Sequence, residues 1–361
     1  MSIKSKIKEF VQDLEHYIRV VRVRRHFGKR DLEKKLRTMT VSPISKDQRL
    51  KIDKFWQNYP VKVDYRWFDV YNTLAPDAET LEYYMPHDIY YCYVDPFFSN
   101  VSKAKAFDDK NMYDIYFHDV LQPKTILRIN NGIYTDADYQ LVSLERAVEL
   151  CCQQERLIIK PAIESEGGTG IEFWDSDRDS KEVLISKLKS EGCYIISEVV
   201  TQHQELAKIH SSSVNTIRII TLLLDGEVHI LSAILRMGVN GARVDNASSG
   251  GIFCGIYADG RLKSKAYDVK GNVYEAHPQG GRLSNYQIPN YDKCCQTVVR
   301  LAPRLCNVTK LCSWDLSIGE DGTPILIEAN LTYGGINLHQ LCNGPVLGNL
   351  TRRVLDVVFK K

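Results

Sequence analysis

The 361-residue sequence predicts an α+β protein, and three observations carry that reading. Hydrophobic residues make 44% of the chain and charged residues 25%, the proportions of an ordinary soluble globular protein, which excludes disorder, collagen and low-complexity architectures. Segments of helical periodicity are mixed irregularly with β runs. Several β runs are adjacent in sequence, which argues against a regular doubly wound sheet.

The elements follow in chain order. Ile3, Ile7, Phe10, Val11, Leu14, Ile18 and Val21 fall three or four apart, the spacing of one apolar helical stripe. Lys4, Lys8, Arg19, Arg22 and Arg25 lie largely off that stripe. A second helical stretch is expected over 31–37. After the breaker Pro43, Ser45 is placed to cap a helix running through Trp56. Residues 59–100, rich in Tyr, Pro and Asp, read as turns and short elements. Beyond Lys110, strands are expected over 124–129, 156–160, 194–200, 216–224 and 228–236, and helices over 143–153, 180–189 and 292–307. A hairpin over 312–330 and a helix through Val358 close the chain. These patterns divide it into a basic helical segment (1–58), a lead-in (59–107), a unit with a Gly-rich loop (108–197) and a unit with the last hairpin (198–361).

The formal net charge of +2 conceals an uneven distribution, because residues 1–37 carry +7 and the remainder −5. A helix of this form suits either an anionic membrane surface or packing of its stripe against the body. No apolar run of about 18 residues is present to span a bilayer. The start, MSIKSKIKEF, lacks the apolar core of a secretory signal. The ten cysteines include two adjacent pairs and no C-x-x-C, and the nine histidines lack zinc-ligand spacing, so reduced thiols in the cytoplasm are expected.

The last hairpin is the most informative segment. Asp321-Gly322 signals a two-residue type I′ turn, which pairs Glu320 with Thr323 and sets Asp315 directly opposite Glu328. Asn330 falls on the same face. Two opposed carboxylates repel unless a cation lies between them, and an all-oxygen donor set suits Mg²⁺ and not zinc. A solvated surface pair in a slightly different register is the other reading.

Lys160 ends an apolar strand and is followed by a loop containing Glu164, Gly167, Gly168, Thr169 and Gly170. Glycines let backbone N–H groups approach phosphate oxygens, and the lysine adds a point charge. The loop is neither a Walker A motif nor a G-x-G-x-x-G turn, and a flexible hairpin turn is the alternative. Glu198 ends another strand, with Glu205 seven residues on; such acids can accept hydrogen bonds from an adenine amino group and ribose hydroxyls. Asn215 and Arg218 interrupt a β run that otherwise reads as buried. An arginine there needs an anion, either a phosphate or an acidic side chain.

Together these residues resemble the ATP-grasp superfamily, in its branch associated with sugar transfer and exopolysaccharide gene clusters, over roughly residues 100–345. Asp109-Lys110-Asn111 looks like that family's early D-K segment, and Gln122-Pro-Lys-Thr125 like the P-x-T strand entry. Lys160 matches the second ATP lysine, and 164–170 the flap over the phosphates. Glu198 to Val200 resembles the linker that hydrogen-bonds adenine, and Glu205 the ribose acid. Asn215-Thr-Ile-Arg218, Asp245-Asn246 and Gly250-Gly251 are similar to features of this branch. Asp315, Glu328 and Asn330 match the Mg²⁺ ligands, although Ser313-Trp-Asp and Glu328-Ala-Asn replace the commoner Gly-Trp-Asp and Glu-Gly-Asn. Ser313 also stands where ligases related to D-alanine–D-alanine ligase tend to place an arginine, which argues against a dipeptide-ligase pocket of that type.

The resemblance implies an ATP-grasp fold, two α+β subdomains clasping ATP, behind a basic helical N-terminal segment. It implies an ATP-dependent ligase that joins a carboxylate to an amine through an acyl phosphate. Asp315, Glu328 and Asn330 would hold one or two Mg²⁺, and Lys110 and Lys160 would neutralise the phosphates. Arg218, with Arg236, would stabilise the transferring phosphoryl group. His339 is a weak candidate base; Asn246, Tyr333 and Gln340 are candidate pocket residues. The branch's company with glycosyltransferases implies a sugar acid or amino acid substrate in cell-surface polysaccharide assembly. It implies no nucleic-acid partner and a cytoplasmic location, with residues 1–37 as a potential contact to the inner membrane face. A kinase or phosphotransferase on the same fold, and a nucleotide-binding scaffold in polysaccharide assembly, are the alternatives.

Overall fold

The computed structural model describes residues 18, 20–74, 78–163 and 169–360, and among them every strand pairing within the two sheets is antiparallel. The first sheet has six strands: β1 (Thr125–Asn130), β2 (Ile133–Asp136), β3 (Leu141–Val142), β4 (Arg156–Pro161), β5 (Glu172–Asp175) and β6 (Cys193–Glu198). Their order is β3-β2-β1-β6-β4-β5. Helices Leu144–Cys152 and Lys181–Leu188 pack Ala147, Val148, Leu184 and Leu188 onto Leu127, Ile129, Leu157 and Ile196 of this sheet. Ser143 caps the first of them by accepting from the Arg146 N–H.

The second sheet has seven strands: β7 (Thr216–Leu224), β8 (Glu227–Met237), β9 (Ile252–Ile256), β10 (Leu262–Tyr267), β11 (Val273–Tyr274), β12 (Leu311–Ile318) and β13 (Pro324–Asn330). Their order is β11-β10-β9-β8-β7-β12-β13. Both of its faces are covered. On one, Ile217, Ile219, Trp314 and Leu316 meet the helix Tyr291–Leu301. On the other, Ile220, Leu222, Leu224 and Leu311 lie under the helices that precede residue 100 and the closing helix Thr351–Val358.

Those preceding helices correct the expectation for 59–100. Tyr65–Leu74 is a helix that buries Trp67, Phe68 and Tyr71, and a nearly continuous helical run follows from His87 to Phe98. Tyr and Asp cost helix only a few tenths of a kcal/mol per residue, which burial of large aromatic rings outweighs, and Pro86 and Pro96 fall at helix starts, where proline is tolerated. Lys46–Trp56 is helical as expected, with a full capping box between Ser45 and Gln48. Of the basic stripe, Ile3, Ile7, Phe10, Val11 and Leu14 lie outside the described residues. Val23 and Phe27 pack on the core and Leu32 is fully buried, whereas Ile18 and Val21 are exposed. Among the described residues no helix is long and apolar enough to cross a membrane, and all ten cysteines are free thiols.

The last hairpin departs from its expected turn in an instructive way. Gly319, not Glu320, closes the loop on Thr323, so three residues connect the strands. Gly322 takes the left-handed conformation (φ +82°) while Asp321 does not, which is a type I turn with a bulge instead of type I′. A second irregularity between Asp315 and Leu316 shifts the register by one. The two offsets cancel, and Asp315 still pairs with Glu328.

Candidate active site

β12 lies between β7 and β13, so Asp315 has Arg218 beside it on one strand and Glu328 on the other. Arg218 binds Asp315 through two contacts, Nε to Oδ1 at 2.6 Å and Nη2 to Oδ2 at 2.5 Å. Arg236 of β8 adds a third, Nη1 to Oδ2 at 3.0 Å, and donates from Nη2 to Asn246 Oδ1 at 2.5 Å. Burial works against a charge on Asp315, but the two guanidiniums outweigh it and hold the carboxyl below the usual carboxylate range. Glu328 receives Lys110 Nζ at 2.8 Å, and Asn330 Nδ2 donates to the Ser313 carbonyl at 3.1 Å.

Lys110 reaches the site because the Lys110 N–H is tied to the Ala162 carbonyl at the end of β4, the strand that carries Lys160. Burial pulls the Lys160 ammonium below its ordinary value; Glu328 opposes the shift and Lys110 adds to it. Lys110, Lys160, Arg218 and Arg236 thus stand against three carboxylates, Asp245, Asp315 and Glu328. Four cationic side chains thus converge in the described part of the cleft, a grouping that suits recognition of phosphate or carboxylate anions.

The donor chemistry also fits a hard cation. Among the described residues no group of three or more His, Cys, Asp or Glu side chains is gathered around one point. Mg²⁺ does not need such a group, because it keeps several waters and binds through one or two carboxylates plus substrate phosphates. Asp315, Glu328 and Asn330 bring two carboxylates and an amide oxygen to neighbouring strands, with Asp315 held here by the two arginines and Glu328 by Lys110.

The cluster opens into a cleft of about 1490 Å³ between the two sheets. Glu198 and Val200 line its wall, with the Glu198 carboxylate held by Lys124 at 2.8 Å. Asn246 and Tyr333 also line it. Gly251 permits the 245–251 loop to close beside Arg236, since a Cβ there would lie 2.5 Å from the Asp245 carbonyl oxygen. Of the flap, Thr169 and Gly170 are described and exposed, Gly170 with φ +77°. Glu164, Gly167 and Gly168 lie outside the described residues.

Four expected site residues take other positions. Glu205 is not part of the cleft wall; its carboxylate accepts from Lys208 one helical turn on, at 2.6 Å. Asn215 is fully buried, and its amide donates to Gln202 Oε1 and to the carbonyls of Leu206 and His210. It therefore anchors the segment between β6 and β7. Gln340 turns the other way, bonding both backbone groups of Met85 and the Tyr71 hydroxyl. His339 is fully buried against Ser232, and burial depresses its pKa to about 3.

Sequence reasoning passed over Arg243 and Asp175. They pair across the cleft through two contacts of 2.7 and 3.0 Å, linking β5 to the loop after β8, with the guanidinium stacked on Phe173. Neither sits in a local motif, and their partnership exists only once the two sheets face each other.

The sequence matches the family model of sugar-transfer associated ATP-grasp proteins over residues 93–356. No curated protein matches the chain in sequence. Among solved structures it is similar to a D-alanyl-alanine synthetase A from Vibrio cholerae O1 biovar eltor at 10% identity (TM-score 0.43), covering 73% of this chain and 67% of that one. It is also similar to a D-alanine–D-alanine ligase from Bacillus anthracis at 13% identity (TM-score 0.41), with 73% and 69% covered. A D-cycloserine synthetase is similar at 14% identity (TM-score 0.42), with 72% and 71% covered.

Proposed function

This chain is an ATP-grasp enzyme of the sugar-transfer associated family, and we propose on that premise that it is a carboxylate–amine ligase forming an amide through an acyl phosphate. The observation that supports this most is the ring of four cations around the opposed pair Asp315 and Glu328 at the floor of the cleft. Phosphoryl transfer asks little covalent chemistry of a protein; it asks for positioning and for positive charge where negative charge develops. Lys110 and Lys160 would hold the nucleotide phosphates, and the 164–170 segment would exclude water. Glu198 and Val200 would meet the adenine. Arg218 and Arg236 would face the transferring phosphoryl group and the acyl phosphate. Asp315, Glu328 and Asn330 would hold Mg²⁺, which when bound would supply Lewis-acid neutralisation of phosphate charge.

The substrates on this reading are a sugar acid or an amino acid and an amine, in cell-surface polysaccharide or sugar-conjugate assembly on the cytoplasmic side. The test is ADP and phosphate release screened over amino acids crossed with sugar acids. Release is expected only when acid and amine are both present. It should fall about 10²–10³-fold in Asp315→Asn or Glu328→Gln. Release unchanged by those substitutions sinks the assignment, and phosphate retained on a product would instead mark a kinase.

A further inference from the structure

Of the two expectations for the basic N-terminal segment, membrane contact or packing on the body, its described residues show packing, and part of the segment lines the cleft. Along β7 and β12 the side chains alternate, so Arg218 and Asp315 share the sheet face of Ile220, Leu222 and Leu311. That is the face the helices before residue 100 cover. Arg22, Val23, His26, Phe27 and Tyr91 all contribute to the cleft wall.

An aromatic path joins this wall to the reaction centre. Tyr333 lies three residues beyond Asn330, is 44% exposed, and is held at φ +54°. A non-glycine residue in that conformation stores of order 1 kcal/mol, and such strain gathers at functional sites. The Tyr91 hydroxyl donates to the Tyr333 carbonyl at 3.4 Å, and the two rings are 5.7 Å apart. Tyr91 meets Phe27 at 4.2 Å, and Phe27 meets His26 at 4.6 Å. Phe27 and Tyr91 each lie in a π-helical stretch, Arg24–Asp31 and Tyr90–Val94, a widened helix form that recurs at functional sites.

The segment is pinned where it lies. Arg24 reaches Asp88 at 3.6 Å, and Asp31 pairs with His87 at 3.0 Å. Arg22 and His26, four residues apart and so on one helical face, are exposed and make no hydrogen bond to a described residue. The path therefore runs from the Arg218 centre over three aromatic rings to a second pair of basic side chains.

We propose that Arg22, His26, Phe27 and Tyr333 bind the non-nucleotide substrate, with the buried Tyr91 holding Tyr333 and Phe27 in place from beneath, and that this substrate is a sugar acid carrying a second anionic group of the phosphate type. The inference rests on the ligase reading above. The C–H face of a pyranose is apolar enough to lie on aromatic rings while its hydroxyls stay wet. Its carboxylate would point at Arg218 and Lys160, and the second anion at Arg22 and His26. An amino acid with an uncharged side chain would leave that outer pair unused, and an amine would be repelled by it.

The experiment is calorimetric titration of the full chain, with Mg²⁺ and a non-hydrolysable ATP analogue, using glucuronic acid 1-phosphate and glucuronic acid as probes. Wild type is expected to bind the phosphorylated probe more tightly. Arg22→Glu should weaken that probe at least about tenfold, the loss of one charge-assisted contact, and should leave unphosphorylated glucuronic acid nearly unaffected. Tyr333→Ala should weaken both probes. Nucleotide affinity, measured alongside, should stay within about twofold, which also reports that each variant is folded. Variants that bind both probes as wild type does overturn the proposal, and so does a wild type that binds nucleotide but neither probe. A wild type that fails to bind nucleotide overturns the ligase reading beneath it, so the two failures are distinguishable.

Discussion

Asp315 is 2% exposed and lies beneath two guanidiniums, and a carboxylate so placed is more harmful unpaired than absent. Arg218→Met removes the bidentate partner and leaves Arg236 with one contact. The expected cost is about 3 kcal/mol of folding stability, the usual scale for stranding a buried charge. Adding Asp315→Asn to that variant should recover roughly half of the loss, because the stranded charge is removed. Thermal unfolding of the two single variants and the double variant measures this, and strictly additive losses would refute it. The requirement for an anion at Arg218 was legible in the sequence, since an arginine inside a β run must be compensated. That the anion is Asp315, 97 residues further along the chain, became visible only with β12 laid beside β7.

Elements with local signals were read closely. Ser45 and Ser143 cap helices where hydroxyl and periodicity coincide, and strands 216–224 and 228–236 stand within a residue of expectation. The helix Tyr65–Leu74 was missed because its stability comes from Trp67, Phe68 and Tyr71 packing into a core shared with the neighbouring helices and with Ile220, Leu222 and Leu311 of the second sheet. The hairpin came out in the right register through two errors of opposite sense, a loop one residue longer and a bulge between Asp315 and Leu316. Asn215 was misplaced for a related reason, because a polar residue at a strand entry looks alike whether it faces a ligand or a loop. Its three amide contacts make it the anchor of the 202–215 segment. Asn215→Ala should therefore cost about 2–4 kcal/mol by orphaning buried acceptors. Nucleotide affinity should fall only a few-fold, through looser support of the wall at Val200. Differential scanning fluorimetry alongside nucleotide titration decides the matter; an unchanged melting temperature with a large affinity loss would return Asn215 to the site.

At the scale of the whole molecule, four histidines in three packing regions, His210 and His277 being ring neighbours 5.4 Å apart, share one electrostatic condition. Burial lowers the pKa of His87, with Asp31 opposing it, and lowers that of His210, with His277 adding to the effect. Burial likewise lowers His277, and it depresses His339 to about 3. Each imidazole is thus neutral in the folded chain at pH values where the unfolded chain, near 6.5, already takes up protons. Their stabilisation is fully present above about pH 6.5 and is lost as pH falls toward each folded value. Each group removes at most about 1.4 kcal/mol per pH unit within its window. Asp88, whose carboxyl burial raises, works in the opposite sense. The carboxylates held low, Asp315 and Asp175 among them, lose their contribution only as pH falls below the ordinary range near 4, so pH 6.5 to 5 isolates the histidines. The melting temperature should be level from pH 8 to 7 and fall steadily from 6.5 to 5. His339→Gln, which can keep a hydrogen bond to Ser232, should flatten that slope because its shift is large and it lies apart from the Asp31–His87 pair. A melting temperature constant from pH 7 to 5, or an acid limb as steep in His339→Gln as in wild type, would show that these histidines are not what limits the fold in acid.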